Sequence, residues 1–141
     1  MLTDAFGRTV DYLRISVTDR CDLRCTYCLP KGFKGFSVPK EWLSIEELAR
    51  VASAFARLGT KRFRLTGGEP LVRKADILKL AEKHNDVQFA IYTNSTLIDE
   101  PFCEEVQRLG NIAFMLSIEG TPETNDARRG SGHYAAVMHA M

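Results

Sequence analysis

Three of the four cysteines, Cys21, Cys25 and Cys28, fall in the spacing C-x3-C-x2-C within eight residues. Thiolates are soft ligands that select iron-sulfur clusters or zinc, so a crowd of three points first to those two centres. Three thiolates suit three irons of a [4Fe-4S] cube and leave the fourth iron open to something else. A structural zinc site asks for four protein ligands, commonly with a second C-x2-C pair, and no such pair follows here. Zinc completed by a distant Cys103 or His84 stays open on the cysteines alone, as do plain unliganded thiols. A non-catalytic or electron-transfer iron-sulfur module would need a fourth cysteine close by. Cys103 lies beside the helical stripe of Phe102 and reads as a small buried hydrophobe, so it is left out of the site.

The composition narrows the setting. The chain has 141 residues, 45% hydrophobic and 26% charged, which is ordinary for one globular domain with a real core. Net charge is +1 with both signs interspersed, so nothing favours nucleic acid or an anionic membrane surface as a partner. No apolar run approaches the roughly 20 residues of a membrane span. Crowded cysteines make a poor disulfide framework, and the N-terminus has no signal-like pattern, so the expected location is a reducing cytoplasm.

These cysteines need elements to carry them. Residues 12–18 (YLRISVT) alternate Leu13, Ile15 and Val17 against Arg14, Ser16 and Thr18, the period of a strand with two different faces. The Cys loop follows, then a Gly- and Lys-containing stretch over 31–40. Ser44 with Glu47 forms a capping box before the stripe Ile45, Leu48, Val51, Ala52 and Phe55, and Gly59 ends that helix. Strands are predicted at 62–66, 87–93 and 112–118. Helices are predicted at 77–83 and after Asp99, the latter with Phe102, Val106 and Leu109 on one face and Gly110 as its stop. A last helix starts near His133, and its stripe of Tyr134, Val137, Met138 and Met141 runs to the end of the sequence.

Strands alternating with helices argue for an α/β fold of parallel βαβ units, about four of them. A full barrel of six or eight units needs on the order of 200 residues or more, so a truncated, partial parallel barrel is expected. Chemistry in such folds collects at the C-terminal ends of the strands. The strands run there into the Cys loop, into Thr66-Gly67-Gly68-Glu69-Pro70, into Thr93-Asn94-Ser95, and past Ser117 into Glu119-Gly120. Alone, Gly67-Gly68 reads as a tight turn, and Asn94 and Ser117 as turn and strand-end residues.

C-x3-C-x2-C followed by Gly-Gly-Glu-Pro at a strand end resembles the radical S-adenosylmethionine (SAM) superfamily. The resemblance implies that residues 1–141 are the N-terminal part of that family's barrel core, with the C-terminal remainder absent. It implies a [4Fe-4S] cluster on Cys21, Cys25 and Cys28, whose open iron is chelated by the amine and carboxylate of SAM. Reductive cleavage of the sulfonium would then give a 5'-deoxyadenosyl radical. By the same resemblance Tyr27 meets the adenine, and Gly67, Gly68 and Glu69 form the amine site. Thr93, Asn94 and Ser117 would bond the ribose and methionine carboxylate. No catalytic residue beyond the cluster and cofactor sites is implied, and the electron would come from a donor such as flavodoxin or ferredoxin.

Within that superfamily, residues 1 to about 83 resemble the GTP 3',8-cyclases of molybdenum-cofactor biosynthesis through DAFGR at 4–8, the stretch 12–30 and RFRLTGGEPLVR at 62–73. Arg14, Arg62 and Arg64 fall on one side of their strands, and by this resemblance they are candidate GTP contacts. Arg paired with carboxylates is the structural alternative. Residues 89–99, 116–120 and 126–130 look closer to hopanoid-biosynthesis or peptide-maturing radical SAM enzymes. That cyclase family also carries a second, C-terminal cluster on three more cysteines, which this sequence lacks. Ser95 departs from the Gly that relatives usually carry after Thr-Asn, at a cost of roughly 1 kcal/mol if the turn needs positive φ.

Overall fold

A computed structural model describes residues 2–29, 32–36 and 39–141. Pro30, which closes the 12–30 motif, and residues 31, 37 and 38 of the 31–40 stretch lie outside the described residues. Four strands, β1 (Tyr12–Thr18), β2 (Arg62–Gly67), β3 (Gln88–Thr93) and β4 (Ile112–Leu116), form one sheet in the order β1-β2-β3-β4. All three pairings are parallel. Helices α1 (Ile45–Arg57), α2 (Lys74–Lys83) and α3 (Glu100–Leu109) make the connections, and α4 (Pro122–Arg129) and α5 (His133–Ala140) follow β4. This is the βα alternation of a partial parallel barrel.

The alternation along each strand sets the two faces. Ile15, Val17, Phe63, Leu65, Phe89 and Ile91 point to the helices and are buried. Phe63 stacks on Phe89 with ring centroids 5.5 Å apart, and Leu48, Ala52, Ile77, Leu80 and Phe102 of the helices complete the core. The opposite face of the sheet is open, with Arg14 in register with Arg64, and Ser16 with Thr66. The three arginines do share this face, in different company. Arg62 is paired with Asp11 at 2.5 Å, and Arg64 lies over the Tyr12 ring at 4.5 Å.

Local signals account for the ends of the helices. Ser44 accepts from the Glu47 N–H while the Glu47 carboxylate accepts from the Ser44 N–H, a complete capping box. Asp99 caps α3 by accepting from Phe102 N–H, and Gly110 ends it at φ 71°. Two boundaries differ from expectation by two residues or more. A 3-10 turn (Pro70–Arg73), capped by the Glu69 side chain, starts α2 three residues early, and β4 stops at Leu116. The helix α4 was not anticipated because it has no apolar stripe. Its signal is the pair Thr121-Pro122, a cap that accepts from Thr124 N–H followed by proline in the first turn. No helix of the described residues is long and apolar enough to cross a membrane.

Ser44→Ala removes one side of the capping box without touching the core. It is expected to lower stability by about 1 kcal/mol, read as a lower urea midpoint at unchanged slope.

Candidate functional site

Everything at the C-terminal rim starts from how closely the end of β1 meets the end of β2. Gly68 N–H donates to Thr18 O and Glu69 N–H to Arg20 O. A Cβ on Gly67, which has φ 141°, would stand 2.0 Å from Thr18 O, and one on Gly68 would stand 2.1 Å from Arg20 O. Any side chain there would force the two backbones apart. The protein's own packing therefore requires the glycine pair, whatever ligand lies above it.

Glu69 turns inward. At 1% exposure, its carboxylate accepts from Leu71 N–H, from the Thr93 hydroxyl at 2.7 Å and from Asn94 N–H at 2.7 Å. Burial raises its pKa, although the Asn94 and Leu71 N–H groups and the Thr93 hydroxyl pull the other way. Asn94 follows at 6% exposure. Its Nδ2 donates to Asp22 Oδ1 at 2.7 Å and lies 3.8 Å from Cys21 Sγ, while its Oδ1 accepts from Thr96 N–H. Ser95 next to it is the one non-glycine residue with positive φ among the described residues, at 73°, and its buried hydroxyl has no partner there.

A second wall comes from β4 and α4. Ser117 N–H donates to Thr93 O, which brings the strand-four end to the rim. Thr26 N–H donates to Arg128 O and ties the Cys loop to the last turn of α4. Tyr27, half exposed, donates to Glu119 Oε1 at 2.5 Å, and the Arg128 guanidinium lies 4.5 Å from its ring centroid. Glu119 also pairs with Arg128 and, at 2.8 Å, with Arg129. Burial and the bond to Glu119 push the Tyr27 phenol up to about 12, and the same bond leads in holding Glu119 below its ordinary value. Behind this wall His133 is buried. Asn125 Oδ1 accepts from Glu119 N–H, so its Nδ2 faces His133 Nδ1, and His133 Nε2–H is left to donate to Asn94 O at 2.9 Å.

The two walls enclose a cleft of about 360 Å³ lined by Cys21, Cys25, Cys28 and Tyr27, by Gly67 and Gly68, and by Thr93, Asn94 and Ser117. That volume lies within the range of small-ligand sites. Of the residues expected from sequence at this site, Glu69 is absent from the lining because its carboxylate is spent inside. Arg14 lines the cleft, and an adjoining cavity of about 550 Å³ shares Arg14, Thr66, Gly67 and Gly68 with it. Arg62 and Arg64 line neither. Arg129, which sequence reasoning missed, also lines the cleft, with its side chain 13% exposed and its buried Nε without a partner among the described residues. His84 is bonded to Ala49 O beyond the far end of the strands, and neither it nor Cys103 lines the cleft, so neither supplies a fourth ligand there.

All four cysteines are free thiols. Burial pushes Cys21 and Cys25 up, so a metal binding them would have to displace their protons. Among the described residues no three His, Cys, Asp or Glu side chains converge on a point that would hold a single ion. Three thiols spread around one cleft suit a cube whose four irons sit at alternate corners, each thiol taking one iron, better than one tetrahedral zinc, whose ligands must meet. The donor set and its spread fit the cluster.

The sequence profile of the Radical SAM superfamily matches residues 15–141. The chain is 44% identical over 121 residues to the GTP 3',8-cyclase of Marinobacter nauticus, covering 84% of this chain and 36% of that one. It is 52% identical over 97 residues to the cyclase of Cronobacter sakazakii and 49% over 102 residues to that of Ectopseudomonas mendocina, covering 30% of each. The chain thus spans about a third of the length of the curated relatives it matches. The 84% coverage carries the cyclase likeness past residue 83 into the second half. In fold it resembles the crystal structure of Streptococcus suis SuiB bound to S-adenosylmethionine, with a TM-score of 0.67, 22% identity, and coverage of 86% of this chain and 26% of that one.

Two outcomes follow from this geometry. Ser95→Gly relieves the left-handed backbone and the unpartnered hydroxyl together. It is expected to raise stability by about 1 kcal/mol in urea denaturation. His133 is held below its ordinary value mainly by burial, with Arg129 adding to this and the Asn94 carbonyl, Asp126 and Asp22 opposing it. Its depressed value means the unfolded chain binds the proton first as pH falls, so its contribution is whole above about 6.5 and lost below it. Thermal melts from pH 7.5 to 5.5 should show stability falling by at most about 1.4 kcal/mol per pH unit from this group, and His133→Gln should flatten that part of the curve.

Proposed function

We infer that this chain, which belongs to the radical SAM superfamily, holds a [4Fe-4S] cluster on Cys21, Cys25 and Cys28 and binds SAM beside it in the cleft. When bound and reduced, the cluster supplies one electron to the sulfonium of SAM, whose C–S bond breaks to give methionine and a 5'-deoxyadenosyl radical. The observation that carries this reading is that the three thiols, the Gly67-Gly68 turn and the Asn94 and Ser117 strand ends line one cleft.

The chain's own residues would then divide the work. The close-packed backbone at Gly67 and Gly68 offers carbonyl acceptors to the SAM ammonium. Thr93 is engaged with Glu69 and shapes the wall rather than reaching outward. Asn94 and Ser117 line the cleft as the proposed neighbours of the ribose and carboxylate, and the Arg129 guanidinium in the same lining adds a positive charge beside that carboxylate. Tyr27, held by Glu119 and flanked by Arg128, offers its ring and backbone to the adenine. The electron would come from a small donor such as flavodoxin or ferredoxin in a reducing cytoplasm.

For the substrate, the favoured reading is a GTP 3',8-cyclase-like step in molybdenum-cofactor biosynthesis. Its support is the 44–52% identity to cyclases. Arg14 stands where the cleft meets the adjoining cavity, as a contact for an anionic substrate would. Arg62 and Arg64 would have to leave Asp11 and Tyr12 to join it.

The test is anaerobic reconstitution with iron and sulfide, followed by reduction and electron paramagnetic resonance with and without SAM, with 5'-deoxyadenosine assayed alongside. A cluster signal that shifts with SAM, with 5'-deoxyadenosine formed, is expected. GTP should raise the yield further if the cyclase reading holds. No iron uptake, or a signal indifferent to SAM, would overturn the reading.

A further inference from the structure

We propose that Asp22, between two of the cysteines and itself no ligand, is a positioning residue that aims the Asn94 side-chain amide at the sulfur of Cys21. The inference rests on the cluster reading above. Asp22 Oδ1 accepts from Asn94 Nδ2 at 2.7 Å and its Oδ2 accepts from the Thr96 hydroxyl at 2.5 Å. The amide is thereby fixed in one orientation. Turned over, it would set its oxygen against a carboxylate and its NH₂ against the Thr96 N–H that now donates to Asn94 Oδ1 at 3.0 Å.

An amide NH₂ has two hydrogens, and with one given to Asp22 the other is left for Cys21 Sγ, 3.8 Å from Nδ2. Leu23 N–H reaches the same sulfur at 3.4 Å. Hydrogen bonds to thiolate sulfur withdraw electron density and raise the reduction potential of an iron-sulfur cluster, whereas a fixed negative charge nearby lowers it. Asp22 does both: its carboxylate oxygen lies 3.8 Å from Cys21 Sγ, and it directs the donor. The tie also crosses the sheet, because β1 and β3 are separated by β2. It therefore links the first cysteine to the turn expected to meet the ribose.

Two substitutions separate the roles. Asp22→Asn removes the charge but keeps an oxygen that accepts from Asn94. Asp22→Ala removes both, and the two variants carry the same net charge. Wild type and both variants are reconstituted with iron and sulfide, and their folding is checked by circular dichroism. Resonance Raman spectra in the iron–thiolate stretching region and cluster midpoint potentials are then recorded. The expected result is that Asp22→Asn keeps the wild-type stretches at a raised potential. Asp22→Ala should move a stretch to higher wavenumber, with a potential below that of Asp22→Asn. Variants indistinguishable from each other would overturn the positioning role while leaving the cluster reading intact. A wild-type chain that takes up no iron would overturn both. Should Asp22→Ala not fold, Asp22→Ser, one atom shorter than Asp at the acceptor, takes its place.

Discussion

One buried carboxylate holds the rim together. The Glu69 backbone is bonded to the loop leaving β1, its own turn leaves β2, and its side-chain oxygens accept from Thr93 and Asn94 where β3 ends. A charge at 1% exposure is costly unless each oxygen is satisfied, and here three donors supplied by the protein do so. The Leu71 donor is local, but those from Thr93 and Asn94 are in place only when the ends of β2 and β3 are in register. The carboxylate thus makes the correct assembly of the rim the condition for its own burial, and it is unavailable to a ligand for the same reason.

The second wall is built on different terms. Glu119 is only partly buried and gathers Tyr27, Arg128 and Arg129, so it orders the cleft's outer side through charge. The half-exposed Arg128 pair contributes little and the more buried Arg129 pair is shielded from water, and together they keep one aromatic ring and one guanidinium in the lining of the cleft with the thiols. Behind them Asn125 and the neutral His133 carry the position of α4 and α5 back to the Asn94 carbonyl. The two walls therefore meet at Asn94, whose backbone and side chain are both committed.

Much of this was legible in the sequence because local physics decided it. Leu13, Ile15 and Val17 alternate with polar residues since each strand of this sheet has one covered and one open face, and Ser44 with Glu47 announces α1 on its own. The convergence of Cys21, Gly67, Asn94 and Ser117 followed from parallel strands ending on one side. What escaped depends on partners far along the chain. The pairing of Arg62 with Asp11 joins residues 51 apart. The inward turn of Glu69 depends on Thr93, 24 positions away. Arg129 enters the cleft from a helix with no apolar stripe to betray it.

The bond from Thr26 N–H to Arg128 O spans 102 positions in sequence. The sheet itself closes through pairings of roughly half that separation or less, such as Tyr12 with Arg62 or Phe63 with Phe89. Because distant contacts must overcome the largest loop-closure entropy, they tend to settle after nearer ones. During synthesis the cysteine segment is among the earliest made, yet it cannot take its final shape until the stretch around Arg128 has emerged. Ordering of the thiols is therefore deferred until after the four strands have been made. A nascent chain would offer passing metal ions only a loose set of protonated sulfurs, and the finished ligand arrangement would first exist on a sheet already formed.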